Sequence, residues 1–180
     1  VLTIDLARQA ALEDELRRGV AQSGAAWGTA VAMNPHTGGL LALANVPTYN
    51  PNRPAAVPDA ARRNRAITDR FEPGSTFKLV GAVAALEQGL VGLDDSVETG
   101  DRWTVFHGHT MEDVHAYGTL SFGGVLANSS NVGMAKTVDR LDPGVFYQYA
   151  RNMGFRQPTW VDLPGEVSGV LKRPPAWSAT

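Results

Sequence analysis

The chain has 180 residues, 43% hydrophobic and 19% charged, with a formal net charge of −2 and no cysteine. That is the composition of one folded domain with a sizeable core rather than of a disordered chain. It excludes disulfide frameworks, thiolate metal sites and a cysteine nucleophile, and it leaves no basic field to grip nucleic acid.

In chain order, Val1–Ile4 reads as a short strand, and Asp5 as the N-cap of a helix in which Leu6, Ala10, Leu12 and Leu16 share a face. Gly19 marks its end. A hairpin follows: strand residues 27–33, turn chemistry from Asn34 to Gly39, and a return strand over 40–46. Apolar residues on both faces of this pair predict burial in a larger antiparallel sheet, because two strands alone are marginal in water. Residues 49–59 form a proline-rich loop, and Arg62, Arg63 and Arg65 form a basic cluster. Residues 75–88 predict a helix that is apolar all round and therefore buried, ended by Gly89. Residues 92–120 read as turn-rich, with one or two short strands near 103–111 and a hairpin tip at Gly108. Two helical stretches over 122–140 break at Asn128-Ser129-Ser130-Asn131; another helix covers 143–153, and a loop-rich tail follows. No apolar run approaches the ~20 residues of a spanning helix, and no signal peptide is visible. The chain opens on Val1 without an initiating Met and reads as a piece of a longer protein.

The chemistry concentrates at the start of the apolar helix. Ser75 and Lys78, three residues apart in a first turn, lie on one face within hydrogen-bond reach. A serine hydroxyl attacks only when a base takes its proton, and a lysine is that base only when its pKa falls. Burial and the positive end of the helix dipole both push it down. The same helix start offers free backbone N–H groups to an oxyanion. Taken alone, the spacing also fits an N-cap serine followed by an exposed lysine. Further on lies Ser129-Ser130-Asn131. It supplies a second hydroxyl that can relay a proton to a leaving amine and an amide that can hold a substrate carbonyl. Equally, Ser129 or Ser130 can N-cap a helix beginning near Val132.

S-x-x-K followed by S-x-N resembles the signature of the penicillin-recognising serine enzymes, whose third motif is Lys-Thr-Gly. The surroundings look like the class B (monofunctional) penicillin-binding proteins, the septal branch above all. They are Leu2-Thr3-Ile4-Asp5, Arg63-Asn64-Arg65-Ala66, Asp69-Arg70-Phe71-Glu72-Pro73-Gly74-Ser75-Thr76-Phe77-Lys78, Ser129-Ser130-Asn131-Val132-Gly133 and Asp162-Leu163-Pro164-Gly165-Glu166. The resemblance implies the α/β serine transpeptidase fold. An antiparallel sheet, opened by the strands near Ala30 and Leu43, packs on the Ser75 helix, and a mostly helical subdomain closes the cleft. Within this one domain it implies sheet strands and the catalytic helix over about 1–90, the helical subdomain over about 91–155 and a tail over 156–180.

It also implies a peptidoglycan D,D-transpeptidase. Ser75 attacks the D-Ala-D-Ala bond of a stem peptide, Lys78 is the base, Ser129 relays the proton and Asn131 positions the substrate. β-Lactams acylate the same serine, and no metal or organic cofactor is implied. The implied setting is the extracytoplasmic side of the bacterial cytoplasmic membrane, with an N-terminal anchor, a glycosyltransferase and division proteins as partners. A serine β-lactamase or β-lactam sensor, and a non-catalytic division scaffold, are the alternatives. One departure stands out: Lys136-Thr137 is followed by Val138, so Lys-[Thr/Ser]-Gly is absent here. The motif is expected beyond Thr180, the sheet is expected to be incomplete, and the 180 residues alone are expected to be inactive.

Other candidates read as structure. His107, His109 and His115 fit a solvated loop better than a metal site. Glu166, a conceivable deacylating base, sits in a Pro-Gly-Glu turn and reads as structural. The arginines read as a solvated face, with Asn64 and Arg65 as a possible brace for the next helix. Trp103 and Trp160 read as either core or rim residues.

Overall fold

The computed structural model describes residues 2–177; Val1 and Thr180, on which expectations above fall, lie outside them. The chain divides into two compact units, residues 2–70 with 160–167 and residues 71–159 with 168–177. The Ser75 helix lies in the second unit, with the elements that follow it in sequence.

In the first unit, helix α1 (Leu6–Ser23) is capped by Asp5, whose carboxylate accepts from the Arg8 N–H at 3.0 Å. It runs past Gly19 to a left-handed Gly24. A helix-interior glycine costs only about 1 kcal/mol, and Val20, one residue on, packs against Gly28. Strands β1 (Gly28–Met33) and β2 (Leu40–Val46) pair antiparallel in the expected hairpin, with Val31 opposite Leu43. Ala42 and Ala44 are buried, whereas Val31 and Met33 are exposed, and among the described residues no third strand joins the pair. Residues 2–4 are not a strand. They run beside β2 through Thr3 Oγ1 donating to Leu40 O at 2.6 Å and Asp5 N–H donating to Leu41 O at 2.9 Å.

The inward stripe of α1 also differs from the expected one. Leu6 is 83% exposed, while Gln9, Leu12, Leu16 and Val20 are half-buried. The Gln9 amide donates to Leu43 O at 2.8 Å and accepts from Leu43 N–H at 2.9 Å. It extends the ladder at the β2 edge as another strand would.

Two short helices follow, α2 (Asp59–Arg62) and α3 (Arg65–Thr68). Asn45 of β2 caps α3, its oxygen accepting from Arg65 N–H at 2.9 Å. The arginine cluster is not a free solvated face. Arg63 and Arg65 converge on Asp69 at 2.7 and 3.0 Å, and Arg65 lies 5.1 Å above the Trp27 ring. Desolvation works against the Asp69 charge. The Thr68 hydroxyl and the Arg65 and Arg63 guanidiniums outweigh it and hold the carboxyl below its usual range.

In the second unit, a 3-10 turn over Gly74–Phe77 leads into α4 (Lys78–Glu87). Val80, Gly81, Ala82, Ala84 and Ala85 are buried, but Leu79 is 61% exposed, so the helix is not covered all round within the described chain. Residues 92–121 hold four strands: β3 (Ser96–Gly100), β4 (Trp103–Phe106), β5 (His109–Glu112) and β6 (Gly118–Ser121), of which β4 and β5 are those expected near 103–111 and β3 and β6 are additional. They form two ladders, β3 with β6 and β4 with β5. The β3 and β6 stretches escape sequence reading because each is four or five residues long and flanked by glycine. The His107-Gly108 tip of the β4–β5 hairpin has positive φ at both residues, as a tight two-residue connection requires.

Helices α5 (Phe122–Ala127), α6 (Asn131–Val138) and α7 (Pro143–Asn152) complete the unit. Phe122, Val125, Met134 and the alanines of α4 form its core. A Cβ on Gly133 would lie 2.6 and 2.8 Å from the Val125 methyls, so only glycine lets α6 approach α5 this closely. Among the described residues, no helix is long and apolar enough to cross a membrane.

Candidate active site

Ser75 enters its turn from Gly74, whose φ of 58° is left-handed. Phe77, two residues on, sets its ring edge-on to Phe146 and Phe155, at 5.8 and 4.9 Å. That aromatic cluster anchors the turn in the unit's core and leaves Ser75 exposed beside it. The first N–H groups of a helix have no intrahelical partner, so an oxygen drawn to Ser75 meets donors there.

Lys78 follows at the first α-helical position. Its ammonium turns to the turn between α5 and α6, donating to the Ser129 carbonyl and, at 3.0 Å, to the Ser129 hydroxyl. The Lys78 N–H donates to the Ser75 carbonyl within the turn, but among the described residues no side-chain hydrogen bond joins the Ser75 hydroxyl to the Lys78 ammonium. The pairing expected from spacing alone is replaced by one between residues 51 apart in sequence. Burial lowers the Lys78 pKa from the ordinary lysine value, and the nearby Asp113 carboxylate opposes that shift.

The two serines of Ser129-Ser130-Asn131 divide their tasks. Ser130 is the N-cap of α6, its hydroxyl accepting from Gly133 N–H at 2.9 Å, and it is buried. Ser129 stands one residue earlier in a left-handed conformation, φ 53°, which turns its hydroxyl out of the cap and onto Lys78. The choice left open by the sequence is thereby resolved: one serine caps and the other faces the lysine. Asn131 begins α6, and its amide donates to Glu112 O at 2.7 Å.

One residue of this cluster has no signal in the motifs. Asp113, just after β5, is 4% exposed, accepts from the Ser130 hydroxyl at 2.6 Å and from the Val132 N–H at 3.1 Å, and also accepts from the Asn131 N–H. An aspartate in a polar stretch reads as surface. Only the fold carries it under α6.

The histidines lie apart from this cluster's polar contacts. His107 pairs with Asp139 at 2.7 Å, and among the described residues no three His, Asp or Glu side chains gather as a metal centre. Trp103 is 60% and Trp160 83% exposed, so neither is a core residue.

Chemically, the cluster gathers a hydroxyl at a helix start, an amine with a lowered pKa, and a second hydroxyl held by that amine. This is equipment for acyl transfer through a serine ester.

Residues 28–180 match the family model described as the penicillin binding protein transpeptidase domain. Over 177 residues the chain is 40% identical to the probable peptidoglycan D,D-transpeptidase PbpC of Pseudomonas aeruginosa, covering 98% of this chain and 31% of that protein. It is 39% identical to the peptidoglycan D,D-transpeptidase FtsI of Escherichia coli K12, again over 98% of this chain and 30% of the relative. The crystal structure of penicillin binding protein 3 from Mycobacterium tuberculosis, complexed with aztreonam, superposes with a TM-score of 0.87 at 32% identity, covering 99% of this chain and 40% of that one. The chain therefore spans about a third of the length of the curated relatives it matches.

Proposed function

The chain belongs to the penicillin binding protein transpeptidase domain family and has its α/β transpeptidase fold, and from that premise we propose that the whole protein is a peptidoglycan D,D-transpeptidase. Ser75 attacks the carbonyl of the penultimate D-alanine of a stem peptide, Lys78 takes the hydroxyl proton, and the first-turn N–H groups receive the oxyanion. The terminal D-alanine leaves with a proton passed through Ser129, and Asn131 orients the peptide. An amine from a second stem peptide then attacks the ester, forms the cross-link and frees Ser75. β-Lactams, which present a strained amide to the same serine, acylate it. The setting is the bacterial cell envelope, outside the cytoplasmic membrane, and the resemblance of the Arg63–Ala66 and Asp69–Ser75 stretches to the septal branch favours a division role alongside a glycosyltransferase and division proteins.

The observation that carries this reading is the Lys78 ammonium held by Ser129 one helical turn beyond Ser75. The test is to incubate the full-length protein with a fluorescent penicillin and locate the label by mass spectrometry. Attachment at Ser75 lasting hours is the expected result. Release within minutes would make the protein a hydrolase, and attachment elsewhere, or none, would overturn the reading.

A further inference from the structure

We infer that Asp113 is a positioning residue of this site: its buried carboxylate fixes the Ser129–Asn131 turn and keeps a negative charge near the ammonium which that turn holds. The inference rests on the acyl-transfer reading above.

Asp113 grips the turn at three points. One oxygen accepts a hydrogen bond from the Ser130 hydroxyl at 2.6 Å, and the other accepts from the N–H groups of Asn131 and Val132. Its own backbone is fixed in turn, because its N–H donates to Arg102 O at 2.8 Å and Arg102 Nε donates to its carbonyl at 3.0 Å. The preceding residue holds the Asn131 amide through Glu112 O. Residues 112 and 113 therefore constrain the capping serine, the backbone and the carboxamide together.

The Ser130 hydroxyl donates to Asp113 and accepts from Gly133 N–H. Its proton is committed, which leaves Ser129 as the hydroxyl turned to Lys78. The start of α6 favours an anion, and Asp113 accepts its first N–H groups. That accounts for the carboxylate's place under the helix, while its charge also reaches beyond the cap. The cation it acts on is Lys78, whose protonated form it favours against burial. The other charged groups about it are Arg102, bonded to its backbone, Glu112 of β5, and Lys136 of α6, whose ammonium goes to Glu98 O.

The test measures second-order acylation of full-length protein by a fluorescent penicillin across pH, with thermal melts alongside. Asp113→Asn keeps the shape and removes the charge; its amide can donate to Ser130 Oγ while its oxygen still accepts from α6. The expected result is a maximal rate about tenfold lower and a rising limb moved to lower pH. Asp113→Glu keeps the charge and displaces it by a methylene; it is expected to lower the maximal rate and leave the limb in place. Should Asp113→Asn fail to fold, Asp113→Glu decides by itself, and a wild-type maximal rate there overturns the inference. An unmoved limb in a folded Asp113→Asn also overturns it. Wild-type protein that takes no label at Ser75 would instead sink the acyl-transfer reading, and this inference with it.

Discussion

Lys78 and Ser129, 51 residues apart, meet across the gap between α4 and the start of α6, with the lysine ammonium bonded to both the carbonyl and the hydroxyl of the serine. The contact ties the α5–α6 turn to the start of α4, directly after the 3-10 turn that carries Ser75. It requires Ser129 to hold a left-handed backbone, a conformation that a non-glycine residue keeps only when its surroundings enforce it. Here Asp113 and the Ser130 cap do so.

Ser75→Ala should remove covalent penicillin labelling, by at least about 10³-fold in rate, since no other group in the cluster replaces the nucleophile. Stability should change by less than about 0.5 kcal/mol, because Ser75 is exposed. Gel fluorescence and urea melts check both. Retained labelling in the variant would remove Ser75 from its role.

The acylation rate of the wild type should rise with pH. Lys78 acts as a base only when neutral, and burial lowers its pKa with Asp113 opposing, so the rising limb should have a midpoint below the ordinary 10.5. The sign for stability is the same. The folded state gives up this proton before the unfolded state does, so the burden of burying Lys78 is full below the folded pKa and fades as pH rises towards 10.5. Lys78→Met should therefore lose acylation at every pH while melting within a few degrees of the wild type at neutral pH. A rate that falls as pH rises would contradict the assignment.

Ser129→Ala and Ser130→Ala should separate function from stability. Ser130 is buried between Asp113 and Gly133 N–H, so its loss removes a cap and one of the three donors to the buried Asp113 carboxylate, costing about 1–3 kcal/mol. Ser129 faces Lys78 instead, and its truncation should cost less than about 1 kcal/mol but slow acylation about 10²-fold or more. Chemical denaturation and labelling kinetics on the two variants give the comparison. Equal stability losses would mean the two serines are not divided in this way.

Gly133→Ala should destabilise by about 1–3 kcal/mol despite alanine's better helix propensity. The new methyl would fall within 2.8 Å of both Val125 methyls and 3.1 Å from Ser130 Oγ. A compensating Val125→Ala should recover part of that loss, which urea melts on the double variant would reveal.

Local signals were legible in the sequence because local chemistry produces them. The hairpin over residues 28–46 follows from two β-rich runs around a polar, glycine-rich turn, and the Asp5 and Gly89 helix ends follow from capping. The motif residues Ser75, Lys78, Ser129 and Asn131 stood out because their side chains are reactive and their spacings recognisable. What stayed hidden depends on contacts between distant segments. Gln9 looks like surface, but pairs with Leu43 as a substitute strand. Arg63 and Arg65 look like a solvated patch, but converge on Asp69.

The active cluster divides in the same way. Spacing brought Ser75 and Lys78 to one helix start, because three residues are nearly one turn. It did not settle where the lysine points, which serine caps α6, or that Asp113 lies beneath them. Those were decided by packing: Gly133 lets α6 approach α5, and that approach sets the Ser129–Asn131 turn over a buried carboxylate and against Lys78. A side chain's chemistry is written in its own residue, but its pKa and its partner are properties of whatever the fold puts beside it.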